Sequence, residues 1–196
     1  MRVIGVAGRD HLARRAGSAP GPQAAGTRPA PTAAELDDVV GQLYQAHAVT
    51  LVRMANLLIR DRAGAEDIVQ DAFIGLYRAL PRLRDHDQLL PYLRTAVING
   101  SRSALRQQRR TALRVLPHEA AESSAESAVL LSEERRAVFA AMGRLPRRSR
   151  EVLVLRYYLD LPDHQIAAAL GVSRGTVSST ASRAVAALAR ELKEDL

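Results

Sequence analysis

The stretch "AEDIVQDAFIGLYRAL", residues 65–80, constrains the fold most. Ile68, Val69, Ala72, Phe73, Leu76 and Leu80 recur at helical spacing and form one apolar stripe. The other face carries Asp67, Gln70 and Asp71. Residues 35–60 show the same periodicity through Leu36, Val39, Val40, Leu43, His47, Leu51, Met54, Leu57 and Leu58. Between these two helices lies "RDRAG", with Asp61 as the candidate N-cap of the second, and Pro81 ends that helix. A polar loop then leads to a third helix over 89–110, with Pro91 in its first turn. Leu90, Leu93, Val97 and Leu105 are its apolar positions; Arg94, Arg102, Arg106, Arg109 and Arg110 are expected to be exposed.

Further helices are expected at 133–144, 147–159, 163–170 and 174–193. Alanine, leucine and arginine dominate, and runs of β-branched residues are few. The expected fold class is therefore all-α. It divides into a disordered Ala/Gly/Pro-rich tail over 1–33, a first helical domain over 34–112, an acidic linker over 113–131 and a second helical domain over 132–196. The linker segment "PHEAAESSAESAV" contains no lysine or arginine.

Charge narrows the function. Lysine and arginine number 28 against 21 acidic residues, a net charge of +7, which favours a polyanionic partner such as nucleic acid or an anionic membrane surface. There is no cysteine, which excludes disulfides, thiolate catalysis and cysteine-ligated metal sites. No apolar run approaches the roughly 18 residues of a membrane span, and the apolar patch near Met1 is too short for a signal-peptide core. A cytoplasmic protein that does not engage a membrane is expected.

The segment "HQIAAALGVSRGTVSSTASRAVAAL" reads as a helix, a tight turn and a second helix. Ala167 is small enough for the two helices to approach closely. Gly171 stands in the turn, where positive φ is expected, and Ser173 can cap the second helix. Ile166, Leu170, Val172 and Val177 are the expected contacts between them. Such a pair presents the N-terminal half of its second helix to the DNA major groove. An ordinary αα-hairpin is the alternative, and the basic chain favours DNA.

Taken together, these segments resemble the sigma-70 family of bacterial RNA polymerase sigma factors. The similarity is to the group 4, or extracytoplasmic-function (ECF), class of actinobacterial type, over roughly residues 35–194. "AEDIVQDAF" resembles the family's region 2.2, "YLRTAVINGSRSALRQQRR" its regions 2.3 and 2.4, and "LPRRSREVLVLRYYLDLPDHQIAAALGVSRGTVSSTASRA" its region 4. The resemblance implies a sigma factor with no enzymatic activity, no cofactor and no metal. Its partners would be promoter DNA and core RNA polymerase, held through the β′ clamp helices and the β flap. Whether an anti-sigma factor sequesters the chain is left open.

By the same resemblance, Asp67, Gln70 and Asp71 match the positions that dock on the arginine-rich clamp helices, and Ile74, on the same polar side, would supply apolar contact at the centre of that interface. The loop residues Arg84, Asp85, His86, Asp87 and Gln88, together with Asn99, match a pocket that receives a flipped base of the minus-ten element. Arg102, Arg106, Arg109 and Arg110 would hold phosphates. Ser173, Arg174, Gly175, Thr176, Ser178, Ser179 and Arg183 would face the minus-thirty-five element. Glu119, Glu122 and Glu126 of the linker would mimic a polyanion within the polymerase.

Four positions depart from the family pattern. Ser178 stands where a lysine is usual, and Thr180 where a basic residue is frequent, so contact there is expected to depend more on Ser and Thr. Pro162 replaces a Ser cap, leaving Asp163 as the candidate cap. Tyr92 replaces a frequent Trp. Two other functional classes remain from the residues alone. One is a regulator that binds DNA by itself, with 35–110 as a sensing or dimerisation domain. The other is an enzyme acting on nucleic acid, for which no nucleophile–base pair or phosphate-binding loop speaks. His11, His47, His86, His118 and His164 are scattered and are read as structural or solvated.

Overall fold

The computed structural model describes residues 32–83, 85–114 and 133–194, and all regular structure among them is helical. The expected N-terminal tail and acidic linker lie outside the described residues, apart from their ends. Thr32 caps the first helix, which begins at Ala33, and the third continues to Arg114.

Helix α1, Ala33–Ile59, begins with a reciprocal capping box. The Thr32 hydroxyl accepts from the Glu35 amide at 3.3 Å, while the Thr32 amide donates to the Glu35 carboxylate at 2.7 Å. It ends at Arg60, whose φ of 61° is left-handed. Asp61 caps α2, Arg62–Ala79, by accepting from the Gly64 amide at 3.1 Å, as the sequence predicts. A 3₁₀ turn over Leu80–Arg82 contains Pro81, and a second over His86–Gln88 leads into α3, Leu89–Arg114.

The predicted stripe of α2 is the one that packs. Val69, Ala72, Phe73, Leu76 and Leu80 are buried together with Leu51, Met54 and Leu58 of α1 and Leu93, Val97 and Ile98 of α3. Tyr44 meets Phe73 edge to face, with ring centroids 5.0 Å apart. Gly100 sets the approach of α3 to α2, because a Cβ there would stand 2.7 Å from Ile68 Cγ2.

The C-terminal helices are α4, Glu133–Arg144; α5, Arg147–Leu153; α6, Asp163–Leu170; and α7, Arg174–Glu194. Helix α5 widens into a π turn over Val154–Tyr158, closed by the Leu159 amide on the Val154 carbonyl at 3.2 Å. The expected cap at Asp163 is absent. Pro162 holds the cap position without a side-chain bond, and the Asp163 carboxylate instead pairs with Arg156 of the π turn. Helices α4 and α5 also pack on α1, and α6 on α3, so one apolar core runs through both groups of helices.

Candidate nucleic-acid and partner surfaces

Asp67, Gln70, Asp71 and Ile74 recur at helical spacing along α2, and all four are exposed. Ile74 is 48% accessible, a large apolar side chain left at the end of an acidic strip. The strip exists because the opposite stripe of α2 is consumed by the core. Gln70 also lines an apolar groove of about 1150 Å³, whose walls include Val49 and Val52 of α1 and Val138 and Phe139 of α4.

Helix α3 carries the basic face. Arg106, Arg109 and Arg110 are exposed, as expected. Arg94 and Arg102 are not: both are half-buried, and burial pushes the Arg94 guanidinium below its ordinary value. Asn99 is exposed, and its side-chain oxygen accepts from Arg102 Nη1 at 3.4 Å. Arg106 donates to the Ser103 hydroxyl at 2.8 Å. In the preceding loop Asp85 organises the turn, accepting from the Asp87 amide at 2.9 Å and from Gln88 Nε2 at 3.4 Å. Asp87 and Gln88 are exposed there. Arg84 and the side chain of His86 lie outside the described residues.

The helix-turn-helix closes as its sequence requires. Gly171 adopts φ 66°, where a side chain would be strained. The Ser173 hydroxyl accepts from the Thr176 amide at 3.1 Å, capping α7. Ile166, Ala167, Leu170 and Val177 are buried and Val172 half-buried between the two helices. Ser173, Arg174, Gly175, Thr176, Ser178, Ser179 and Arg183 are all exposed. Arg183 folds back on its own helix, donating to the Ser179 carbonyl at 3.1 Å. Thr180 corrects the expectation that Ser and Thr substitute for basic residues here. It is buried, as are Ala181 and Ala184, and so is not an exposed position of α7 like Ser178.

The residues that sequence reasoning missed sit where the two groups of helices meet. Arg150 of α5 is buried and donates to four carbonyls: Leu58 at 2.6 Å, Gly143 at 2.6 Å, Met142 at 2.9 Å and Leu145 at 3.2 Å. Burial first, then the charges of Arg60 and Arg109, hold its pKa below the ordinary arginine value, against the opposing pull of Glu151. Glu151 is 2% exposed and takes both oxygens to Arg102 of α3, at 2.7 and 2.8 Å. That hydrogen bond raises the Arg102 pKa. Arg148 and Arg147 approach the same carboxylate at 3.3 and 3.5 Å. The signal was present in "SREVLVL", an adjacent Arg and Glu at the head of an apolar run. Charges so placed are buried and need partners.

Two family models match this chain. Sigma-70 region 2 matches residues 43–111, and Sigma-70, region 4 matches residues 135–188. An ECF RNA polymerase sigma factor, SigM of Mycobacterium tuberculosis, is 33% identical over 156 residues, which cover 77% of this chain and 76% of that protein. The chain belongs to the sigma-70 family of RNA polymerase sigma factors. A probable RNA polymerase sigma factor of Xanthomonas campestris, RfaY, is 35% identical over 82% of this chain, which spans 42% of that longer protein. Among solved structures, CnrH in complex with the cytosolic domain of CnrY superposes with a TM-score of 0.61 at 28% identity, covering 80% of this chain and 89% of that one. The sigma factor RpoE of Bartonella quintana, in complex with the anti-sigma factor NepR, shares the fold at a TM-score of 0.65 and 24% identity, over 82% and 99%.

As a sigma factor of the ECF class, the chain directs promoter-specific transcription. Helices α1–α3 are its region 2, and α4–α7 its region 4. Tyr92, at the frequent Trp position, is half-buried against the core, its hydroxyl 3.5 Å from where a Cβ on Gly75 would stand. It therefore ties α3 to α2. Among the described residues no cluster of three or more potential metal ligands occurs, and no helix is long and apolar enough to cross a membrane.

Proposed function

We propose that the acidic strip of α2 is the surface that docks on core polymerase, through Asp67, Gln70, Asp71 and Ile74. The observation that carries this is the exposure of an acidic strip with an apolar end on an otherwise basic protein. Arginines on a partner helix would find carboxylate and amide acceptors there, and Ile74 would be buried by the same contact. The minus-ten element is then held by α3 and the loop before it. Asn99 offers both a donor and an acceptor to a base edge, and Arg102, Arg106, Arg109 and Arg110 neutralise phosphates. The minus-thirty-five element meets the start of α7, where Arg174 reads a base and Ser173, Gly175, Thr176, Ser178, Ser179 and Arg183 approach the backbone.

The protein performs no chemistry of its own in this reading; catalysis belongs to the polymerase, and the work is done in the cytoplasm. The segment between α3 and α4 joins the two DNA-reading regions. A protein that holds the factor inactive is a further partner, by likeness to CnrH, whose structure was solved with a bound partner domain. Run-off transcription with core polymerase, with and without this protein, tests the assignment. Promoter-specific transcripts that appear only on its addition support it. Tight, specific promoter binding by the isolated chain with no effect on transcription would favour a regulator that acts alone.

A further inference from the structure

The seam between region 2 and region 4 has an unusual charge balance. Arg60, Arg102, Arg147, Arg148 and Arg150 converge there, and Arg109 is close enough to act electrostatically on Arg150. Glu151 is the carboxylate that pairs with three of them. Arg150 is held by carbonyl dipoles, and the Arg60 guanidinium lies over the Phe139 ring, 5.6 Å from its centroid. The guanidinium that Glu151 takes from region 2 is Arg102, a phosphate-holding group under the proposed function. Its side chain is only 17% exposed. A carboxylate gripped by the guanidinium fork has the geometry with which that fork grips a phosphate.

We infer that Glu151 is a built-in phosphate mimic, which latches region 4 onto region 2 by occupying Arg102, so that the closed form and the form holding minus-ten DNA exclude each other. The inference rests on the assignment of Arg102 to DNA. Repulsion among the surrounding arginines opposes the closed form, and the Glu151 carboxylate offsets it. An incoming polyanion offers Arg102 a replacement partner and takes the other arginines as well. The latch is selective: the α2 strip, Arg106, Arg109 and the start of α7 stay exposed in the closed form. The polymerase surface and the minus-thirty-five surface are thus available before the minus-ten arginine is free.

Glu151→Gln keeps the shape of the side chain and removes its charge. Gly143→Leu is an independent wedge, because even a Cβ there would stand 2.3 Å from Arg60 Nη1 and 2.8 Å from its Cδ. It leaves the Arg102–Glu151 chemistry untouched, and so keeps the test usable if Glu151→Gln misfolds. Circular dichroism checks folding, and small-angle scattering of the full chain reads closure. Affinity for a labelled single-stranded oligonucleotide of mixed sequence reads phosphate binding, which is independent of sequence. Both variants should show a larger radius of gyration and bind the oligonucleotide about tenfold more tightly, as expected when a minor competent state becomes dominant. Adding Arg102→Ala to Glu151→Gln should cancel the gain. Folded variants as compact as the unmodified chain overturn the latch. Expansion without tighter binding overturns the mutual exclusion. In that event, Arg102→Ala in the expanded background tells the two assumptions apart. Weaker binding there leaves Arg102 on DNA and removes only the latch, whereas unchanged binding removes Arg102 from the DNA surface.

Discussion

Arg150 donates to the main-chain carbonyl of Leu58 at 2.6 Å, across 92 residues of sequence. Leu58 lies in the last turn of α1, and the other acceptors of Arg150 lie at the end of α4 and just beyond it. The last four carbonyls of a helix have no partner within it. One guanidinium therefore finishes two helices that belong to different regions, and its charge sits at the negative end of both dipoles. A buried arginine with no carboxylate of its own is tolerated on these terms.

Arg150→Ala should destabilise the fold by at least about 1–3 kcal/mol, the cost of leaving one buried carbonyl unsatisfied. Arg150→Lys should recover little, because a lysine cannot reproduce the planar fork that spans four acceptors. Urea unfolding of the three proteins checks this. Equal midpoints would show that water replaces the guanidinium at no cost.

The polymerase strip is expected to be separable from the fold. Gln70 and Asp71 are exposed, while the stripe behind them is buried. The pair Gln70→Ala with Asp71→Arg should abolish co-purification with core polymerase and leave helical circular dichroism unchanged. Retained binding at equal folding would move the docking surface elsewhere.

Local periodicity made the helices and the inner face of α2 legible, since Val69, Phe73 and Leu76 can share a face only on a helix. Asp61, Gly171 and Ser173 were legible because each satisfies a backbone need within three residues of itself. Arg102, Arg150 and Thr180 were not. Their surroundings are set by packing between α1, α3 and the C-terminal helices, and Arg102 and Glu151 are 49 residues apart. The stripe on α3 predicted a solvated Arg102 because it describes the helix alone, without the carboxylate that region 4 brings to it. Thr180 shows the same limit, since the family pattern records residue types at that position and not the face it occupies here.

Gly100→Ala should cost stability although alanine favours helix. The added Cβ would stand 2.7 Å from Ile68 Cγ2, and overpacking of this kind costs about 1–3 kcal/mol. Ile68→Ala, which opens space beneath it, should recover part of the loss in the double variant. Thermal unfolding of the single and double variants measures this; strictly additive losses would mean that the two side chains do not compete for the same space.

Arg174 and Arg106 are expected to act differently on DNA. A base-reading arginine costs about 1–3 kcal/mol when removed and relaxes one position, whereas a phosphate contact weakens every sequence alike and lowers the salt slope by about one. Holoenzyme with Arg174→Ala should lose discrimination among minus-thirty-five variants, and Arg106→Ala should weaken all promoters in the same order. Affinities for a small promoter panel at several salt concentrations decide it, and a ranking scrambled by Arg106→Ala alone would reverse the assignment.

Ser178 and Thr180 differ from the family pattern in the same direction, yet they should respond in opposite ways when lysine is restored. Ser178 is exposed, two turns or less from the capped start of α7. Ser178→Lys adds a cation beside the phosphates without touching the core. It should strengthen holoenzyme binding to promoter DNA and steepen the salt dependence by about one ion. Thr180 is 8% exposed and packs beside Ala181, Ala184 and Val177. A lysine there must either enter an apolar environment unpaired or force α7 away from its neighbours. Burying an unpaired charge is among the few mechanisms that exceed the roughly 1 kcal/mol of an average substitution. Thr180→Lys should therefore lower the unfolding midpoint and reduce promoter binding, whereas Thr180→Val, similar in shape, should do neither to the same degree. Unfolding and promoter-binding measurements on the three variants provide the comparison. A Thr180→Lys protein of normal stability with tighter promoter binding would mean that this face of α7 turns to the DNA after all.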